Sequence, residues 1–223
     1  GYFMKLNGFF KLHLILTIGC FLLACVAFTD VRMYFSGKTI DFNTAEVADL
    51  TDKALIEGDI DFVYGPFATL ETSEKRFGVT TSTSETPYYI VTYTGGKAYA
   101  VFSTTDEEMI SKLNALADEW YEYLTNDDIE KGDFPEGDIP FKGKLWDQPS
   151  HKDYKPIYDD TIEDLVYVGA DETEFAPLMI VEGEIGKEQL AVFFISAAIA
   201  LIGIILFVIR FVKWLKNRKI SEY

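Results

Sequence analysis

The chain has 223 residues, with 20 Lys+Arg against 36 Asp+Glu and a formal net charge of −16. That charge is unevenly divided: residues 30–188 hold 13 basic and 35 acidic side chains, a net of −22, while the remainder is net +6. A domain so acidic repels nucleic acid and anionic headgroups, which excludes both as partners of its surface. Both cysteines, Cys20 and Cys25, fall in one apolar run, so residues 30–188 can form no disulfide, thiolate metal site or Cys nucleophile.

In chain order, residues 1–8 read as a short cytoplasmic N-terminus and 9–29 as a first membrane-spanning helix. Residues 12–28 are apolar apart from His13 and Thr17. Leu22-Leu23-Ala24-Cys25 is similar to a lipoprotein cleavage box, and a short basic start followed by an apolar run also describes a secretory signal. The run continues past Cys25 through Val26-Ala27-Phe28, longer than an ordinary signal core, which favours an uncleaved span. Lipidation at Cys25 and simple cleavage stay open.

Residues 30–188 are expected to form one acidic α+β domain, a mixed or antiparallel sheet with one main helix. Strands are expected at 38–42 and 60–64, with a short helix over 43–50 between them. Residues 80–85, TTSTSE, read as a surface loop. Two β-rich runs, 88–94 and 97–103, meet at Gly95-Gly96 and predict a two-residue hairpin. Its register sets Tyr89, Val91 and Tyr93 on one face with Ala98, Ala100 and Phe102. Ile90, Thr92, Tyr99 and Val101 occupy the other face, so both sides of this part of the sheet should be covered.

Thr105-Asp106-Glu107-Glu108 has the pattern of a capping box with Thr105 at the N-cap. Met109, Leu113, Leu116, Trp120 and Leu124 then recur at helical spacing as a core stripe, and the helix should stop near Asn126. A strand is expected at 139–146, a short helix at 159–166 and an extended segment at 177–181. A second membrane helix follows at 189–212. Residues 190–209 are twenty in succession without a charge, enough to cross about 30 Å of hydrocarbon.

The tail, 213–223, is basic. Arg210, Lys213, Trp214, Lys216, Arg218 and Lys219 form a membrane anchor at the level of anionic headgroups. The excess of Lys and Arg there and near the N-terminus, against only Arg32, Lys38 and Lys187 at the domain's two junctions, predicts both termini in the cytoplasm and the domain on the far side. Cys20, Ala24 and Ala27 in the first span and Ser196, Ala200 and Gly203 in the second would let the two backbones approach. Such residues are also simply frequent in membrane helices, and both readings stay open, as does homo-oligomerisation through the helices.

The span–domain–span layout, Val63-Tyr64-Gly65, the Tyr88-Tyr89-Ile90-Val91 strand with its following helix, and Phe141-Lys142-Gly143-Lys144-Leu145 resemble uncharacterised two-pass membrane proteins of Gram-positive, clostridial-type bacteria, grouped only as a domain of unknown function. The resemblance implies no activity and no site residues. The lack of thiols in the domain agrees with an exported bacterial protein.

The search for chemistry gives little. His151 is the domain's single histidine, and a triad would need it as base with Asp153, Asp159 or Asp160. No Gly-x-Ser-x-Gly elbow accompanies it, and a solvated loop residue is the expected reading. The segment 126–138 carries six acids, Asp127, Asp128, Glu130, Asp133, Glu136 and Asp138, and is a calcium candidate on oxygen supply alone. It fails the EF-hand order, and an exposed acidic loop is expected instead. Trp120, Trp146 and thirteen tyrosines suit a sugar platform or an ordinary aromatic core. No phosphate-binding glycine motif is present.

These readings lead to a membrane-anchored interaction or accessory module without enzymatic activity or cofactor. Its expected partners are the bilayer and another membrane or envelope protein. The alternative is a ligand-binding or sensor domain that signals through the helix pair.

Overall fold

The computed structural model describes residues 8–76, 79–93, 95–126, 134–135, 137–147, 155–167 and 169–220. It divides into two units: residues 1–36 with 185–223, and residues 37–184.

The first unit is a pair of long apolar helices, α1 (Gly8–Ser36) and α4 (Lys187–Ile220). Both contain a stretch long and apolar enough to cross a membrane, Lys11–Ser36 and Lys187–Trp214. α1 runs seven residues beyond the expected end at 29, because Asp30 and Arg32 sit in a last stretch that still buries Val31 and Met33. The two helices pack closely through small residues. Ala24, Ser196 and Ala200 are buried. A Cβ on Gly203 would lie 2.7 Å from Thr17 Cγ2 and 2.9 Å from Thr17 Cβ, so only glycine fits there. The hydroxyls are satisfied within their own helices: Thr17 Oγ1 donates to the His13 carbonyl at 2.8 Å and Ser196 Oγ to the Val192 carbonyl at 2.6 Å. That local bonding is what an apolar medium demands of a polar side chain.

In the second unit the described strands are β1 (Thr39–Asp41), β2 (Leu55–Ile60), β3 (Phe62–Arg76), β4 (Val79–Thr92), β5 (Tyr99–Ser103), β6 (Ile139–Asp147) and β7 (Phe175–Glu182). They form one mixed sheet in the order β1-β2-β6-β7-β5-β4-β3. β1–β2 and β5–β7 are parallel and the other neighbours antiparallel. β7 therefore joins two halves, β1-β2-β6 and β5-β4-β3. Helix α2 (Glu107–Thr125) covers one face, closing a core that includes Tyr89, Phe102, Leu113, Trp120, Phe141 and Ile180. Helix α3 (Lys155–Tyr167) belongs to the other, where Tyr158 and Leu165 pack with Tyr88, Ile90, Val101 and Met179. The expected α+β class, the mixed sheet and the two-sided covering of the hairpin are all present.

Several local expectations change. The expected strand at 60–64 straddles a junction, since Asp61 separates β2 from β3. Ile56 and Ile60 are the buried positions of β2, with Gly58 between them, so the apolar alternation there is incomplete to the eye. The helix expected over 43–50 is only a single 3-10 turn, Val47–Asp49. Asn43 accepts from the Asp59 amide at 2.8 Å and Thr44 Oγ1 bonds Asp41, which are local alternatives to helical pairing. Residues 80–85 are not a loop: they lie in β4, paired along the long arm of β3.

The hairpin keeps its register, with Tyr89 opposite Phe102 and Val91 opposite Ala100. The expected two-residue turn is replaced by a longer connection: pairing ends at Val91↔Ala100, β4 stops at Thr92 and β5 starts at Tyr99, with the Gly96 amide bonding the Tyr93 carbonyl at 2.6 Å and Gly95 at φ 89°. The N-cap of α2 is Asp106 rather than Thr105, accepting from the Glu108 and Met109 amides at 2.8 and 3.2 Å. α3 begins four residues before the expected 159. In α2, Tyr123 takes the core position expected for Leu124, which is exposed.

Candidate functional site

β3 is an edge strand. Among the described residues no element pairs with its outer side. At Gly65-Pro66-Phe67 it bulges: the register passes from Tyr64↔Ile90 to Ala68↔Tyr88, so three residues of β3 face one of β4. The bulge bends the strand away from the sheet. α2 packs beside it, and between them lies an open groove of about 620 Å³. One wall is Phe62, Val63, Tyr64, Gly65 and Pro66; the other is Asn114, Ala117, Asp118, Tyr121 and Leu124, with Trp120 at the base.

The base is rigidly held. Trp120 Nε1 donates to the Asp61 carbonyl, and the indole meets Phe62 at 5.0 Å and Tyr123 at 5.6 Å between ring centroids. Tyr89, fully buried in β4, donates its hydroxyl to Asn114 Oδ1 at 3.0 Å. Burial pushes the Tyr89 phenol up from its ordinary value, so it remains a donor throughout the physiological range. Above this base the walls are apolar but wet. Tyr121 is 71 % exposed, Leu124 62 % and Tyr64 37 %, three large side chains gathered on one cleft. Such a cluster on an acidic surface is a feature of binding sites rather than of ordinary solvated faces. Among the described residues Asp118 is the one charged side chain in the lining.

The residues singled out from the sequence go elsewhere. Asp127, Asp128, Glu130, Asp133 and Glu136 lie outside the described residues, as does His151. Asp138 is described, with φ 26°, and follows Gly137, which packs against Leu116 and Asp61. Among the described residues no three His, Cys, Asp or Glu side chains come together as a metal site. Arg210, Lys213, Trp214 and Lys216 ride on α4, where Trp214 stacks on Phe211 at 5.9 Å, and Arg218 and Lys219 belong to its last turns. His13 lines a separate cleft between α1 and α4 with Thr17 and Gly203. The groove itself was not read from the sequence. Its signal was a second stripe, Asn114, Ala117, Asp118, Tyr121 and Leu124, running beside the core stripe at the same helical spacing.

A sequence profile for a domain of unknown function, DUF8577, matches residues 6–213, taking in both long helices and the whole sheet. The chain belongs to the DUF8577 family. The residues of both walls of the groove fall within the span matched to DUF8577. No curated protein and no solved structure matches this DUF8577 chain.

Proposed function

We propose that this DUF8577 member is a two-pass membrane protein whose acidic domain lies outside the cytoplasm and docks another membrane or envelope protein, without catalysis of its own. The observation that carries the reading is the groove between β3 and α2, where Tyr64, Tyr121 and Leu124 are held exposed over a fixed aromatic base. Aromatic and apolar anchors around a pre-formed cleft are what protein partners use for most of their binding energy. Two long apolar helices on either side of the domain in sequence support the membrane location. The basic stretch from Arg210 onward and the acidic domain support the orientation, since Lys and Arg collect on the cytoplasmic side. The domain's lack of thiols fits an exported bacterial protein.

Two measurements test this reading. In a background with Cys20→Ala and Cys25→Ala, an impermeant thiol reagent on whole cells should label Ser82→Cys and miss Ser221→Cys. The opposite pattern overturns the orientation. A photo-crosslinking amino acid at Tyr121 or Leu124 should give one adduct of defined mass in cells, while the same group at Glu163, on the exposed side of α3, should not. Identical patterns from all three positions, or none, would remove the docking role.

A further inference from the structure

Resting on the docking reading above, we infer that the groove takes an extended, lysine- or arginine-bearing segment of a protein partner, which adds to β3 as a further strand.

Three observations converge on this occupant. β3 is an open edge, and alternate residues of an edge strand turn their N–H and C=O groups away from their single neighbour. Phe62, Val63 and Tyr64, the part of the wall before the bulge, span roughly 10 Å as a strand. The stripe from Asn114 to Leu124 rises about 15 Å along the helix. A segment of about five residues, paired to β3 over Phe62–Tyr64, would set alternate side chains against Tyr121, Leu124 and Trp120. The bulge at Gly65-Pro66-Phe67, with a Pro that has no N–H to offer, ends the usable edge at that side.

Charge decides the chemistry of the segment. Among the described residues no Lys or Arg lines the groove, and Asp118 is part of its lining. On α2, Glu119 and Glu122 lie within about one turn of Asp118, and Lys112, the helix's one basic residue, is paired to Glu108 at 2.6 Å. A basic segment is drawn into that field and an acidic one is rejected. The same argument removes a second copy, which would bring together two domains of net −22. The chain's own Phe134 is already seated at the base, 6.0 Å from Trp120 and 5.6 Å from Tyr123 between ring centroids. A helix, about 10 Å across, leaves the open edge of β3 without hydrogen bonds.

The test uses the full chain in zwitterionic nanodiscs and a capped, fluorescently labelled seven-residue peptide alternating lysine with valine and phenylalanine. Two further peptides carry N-methyl groups on the odd or on the even amides, and a fourth has glutamate for lysine. One N-methylated peptide should bind about tenfold more weakly than the other, because only one set of amides faces the strand edge. The glutamate peptide should not bind. Asp118→Asn should weaken the parent peptide by about threefold, and Glu163→Gln on α3 should leave it unchanged. Equal affinity of the two N-methylated peptides, or no binding of the parent, overturns strand addition. Cross-links from Tyr121 and Leu124 in cells would persist through that failure, so the docking reading stands or falls separately.

Discussion

Trp120 serves the core, the loop before β3 and the groove at the same time. Its ring fills space between Phe62 and Tyr123, and its Nε1 ties α2 to the Asp61 carbonyl where the chain turns from β2 into β3. Trp120→Ala should destabilise the chain by about 3–5 kcal/mol, read as a shift in urea melting in detergent. Trp120→Phe keeps most of the packing and should lose about 1 kcal/mol with the hydrogen bond. Lys112→Ala, on the solvated side, should leave melting nearly unchanged. Asp171 offers a test in pH. Hydrogen bonds from the Thr173 hydroxyl and amide hold its carboxyl below the usual carboxylate range. A depressed folded value means its stabilising contribution is present at neutral pH and lost as acid is added through that lowered value. The stability gap between the native chain and Asp171→Ala should therefore close on acidification; a gap that widens would contradict the assignment. At this scale the sequence revealed Leu113, Leu116 and Trp120 through their spacing. It set Leu124 rather than Tyr123 on the core stripe; the two stand about 100° apart at its margin, and Tyr123 is the buried one. The choice is made by Phe134, which meets Tyr123 at 5.6 Å and comes from a different part of the chain. Asn114 and Asp118 were illegible for a simpler reason: a polar residue lining a cleft has the same local pattern as one facing water.

Elements built on a clear period were readable, and those shaped by pairing were not. The 88–103 hairpin disclosed its register because β-branched and aromatic residues crowd both of its strands. The arm of β3 and β4 beyond it is rich in Ser and Thr with no apolar alternation, so its strand pairing shows only in three dimensions. The groove needed both failures to be overcome, since one wall is that edge strand and the other is the second stripe of α2. The helix pair allows a sharp contrast at this scale. Gly203→Ala drives a methyl into Thr17, whereas Gly19 has nothing within 4 Å of an added Cβ. Gly203→Ala should lower the melting temperature of the detergent-solubilised chain, Gly19→Ala should not, and Thr17→Ala should restore part of the loss. Equal effects at the two glycines would show that α1 and α4 do not meet at Thr17.

For the whole molecule the dominant fact is the concentration of negative charge in one domain. Its self-repulsion is relieved by any cation, so calcium and magnesium at matched ionic strength should shift melting alike, at millimolar levels. A saturable shift with calcium only, lost in Asp128→Asn with Glu130→Gln, would instead establish a specific site in the acidic segment. The sheet order adds a constraint of another kind. β7 is the last described strand of the domain in sequence, yet it lies between β6 and β5 and, among the described strands, is the one paired with both halves of the sheet. Until residues 175–182 emerge from the ribosome the halves have no common edge, and the cores on both faces stay incomplete. At about 5–20 residues per second, the interval from β1 to β7 is on the order of ten seconds. The strand that closes the sheet, ending at Glu182, is followed within a few residues by α4. Completion of the domain is thus timed to the synthesis of the second long helix, and a ribosome stalled before Phe175 would leave a nascent chain open to proteases and chaperones.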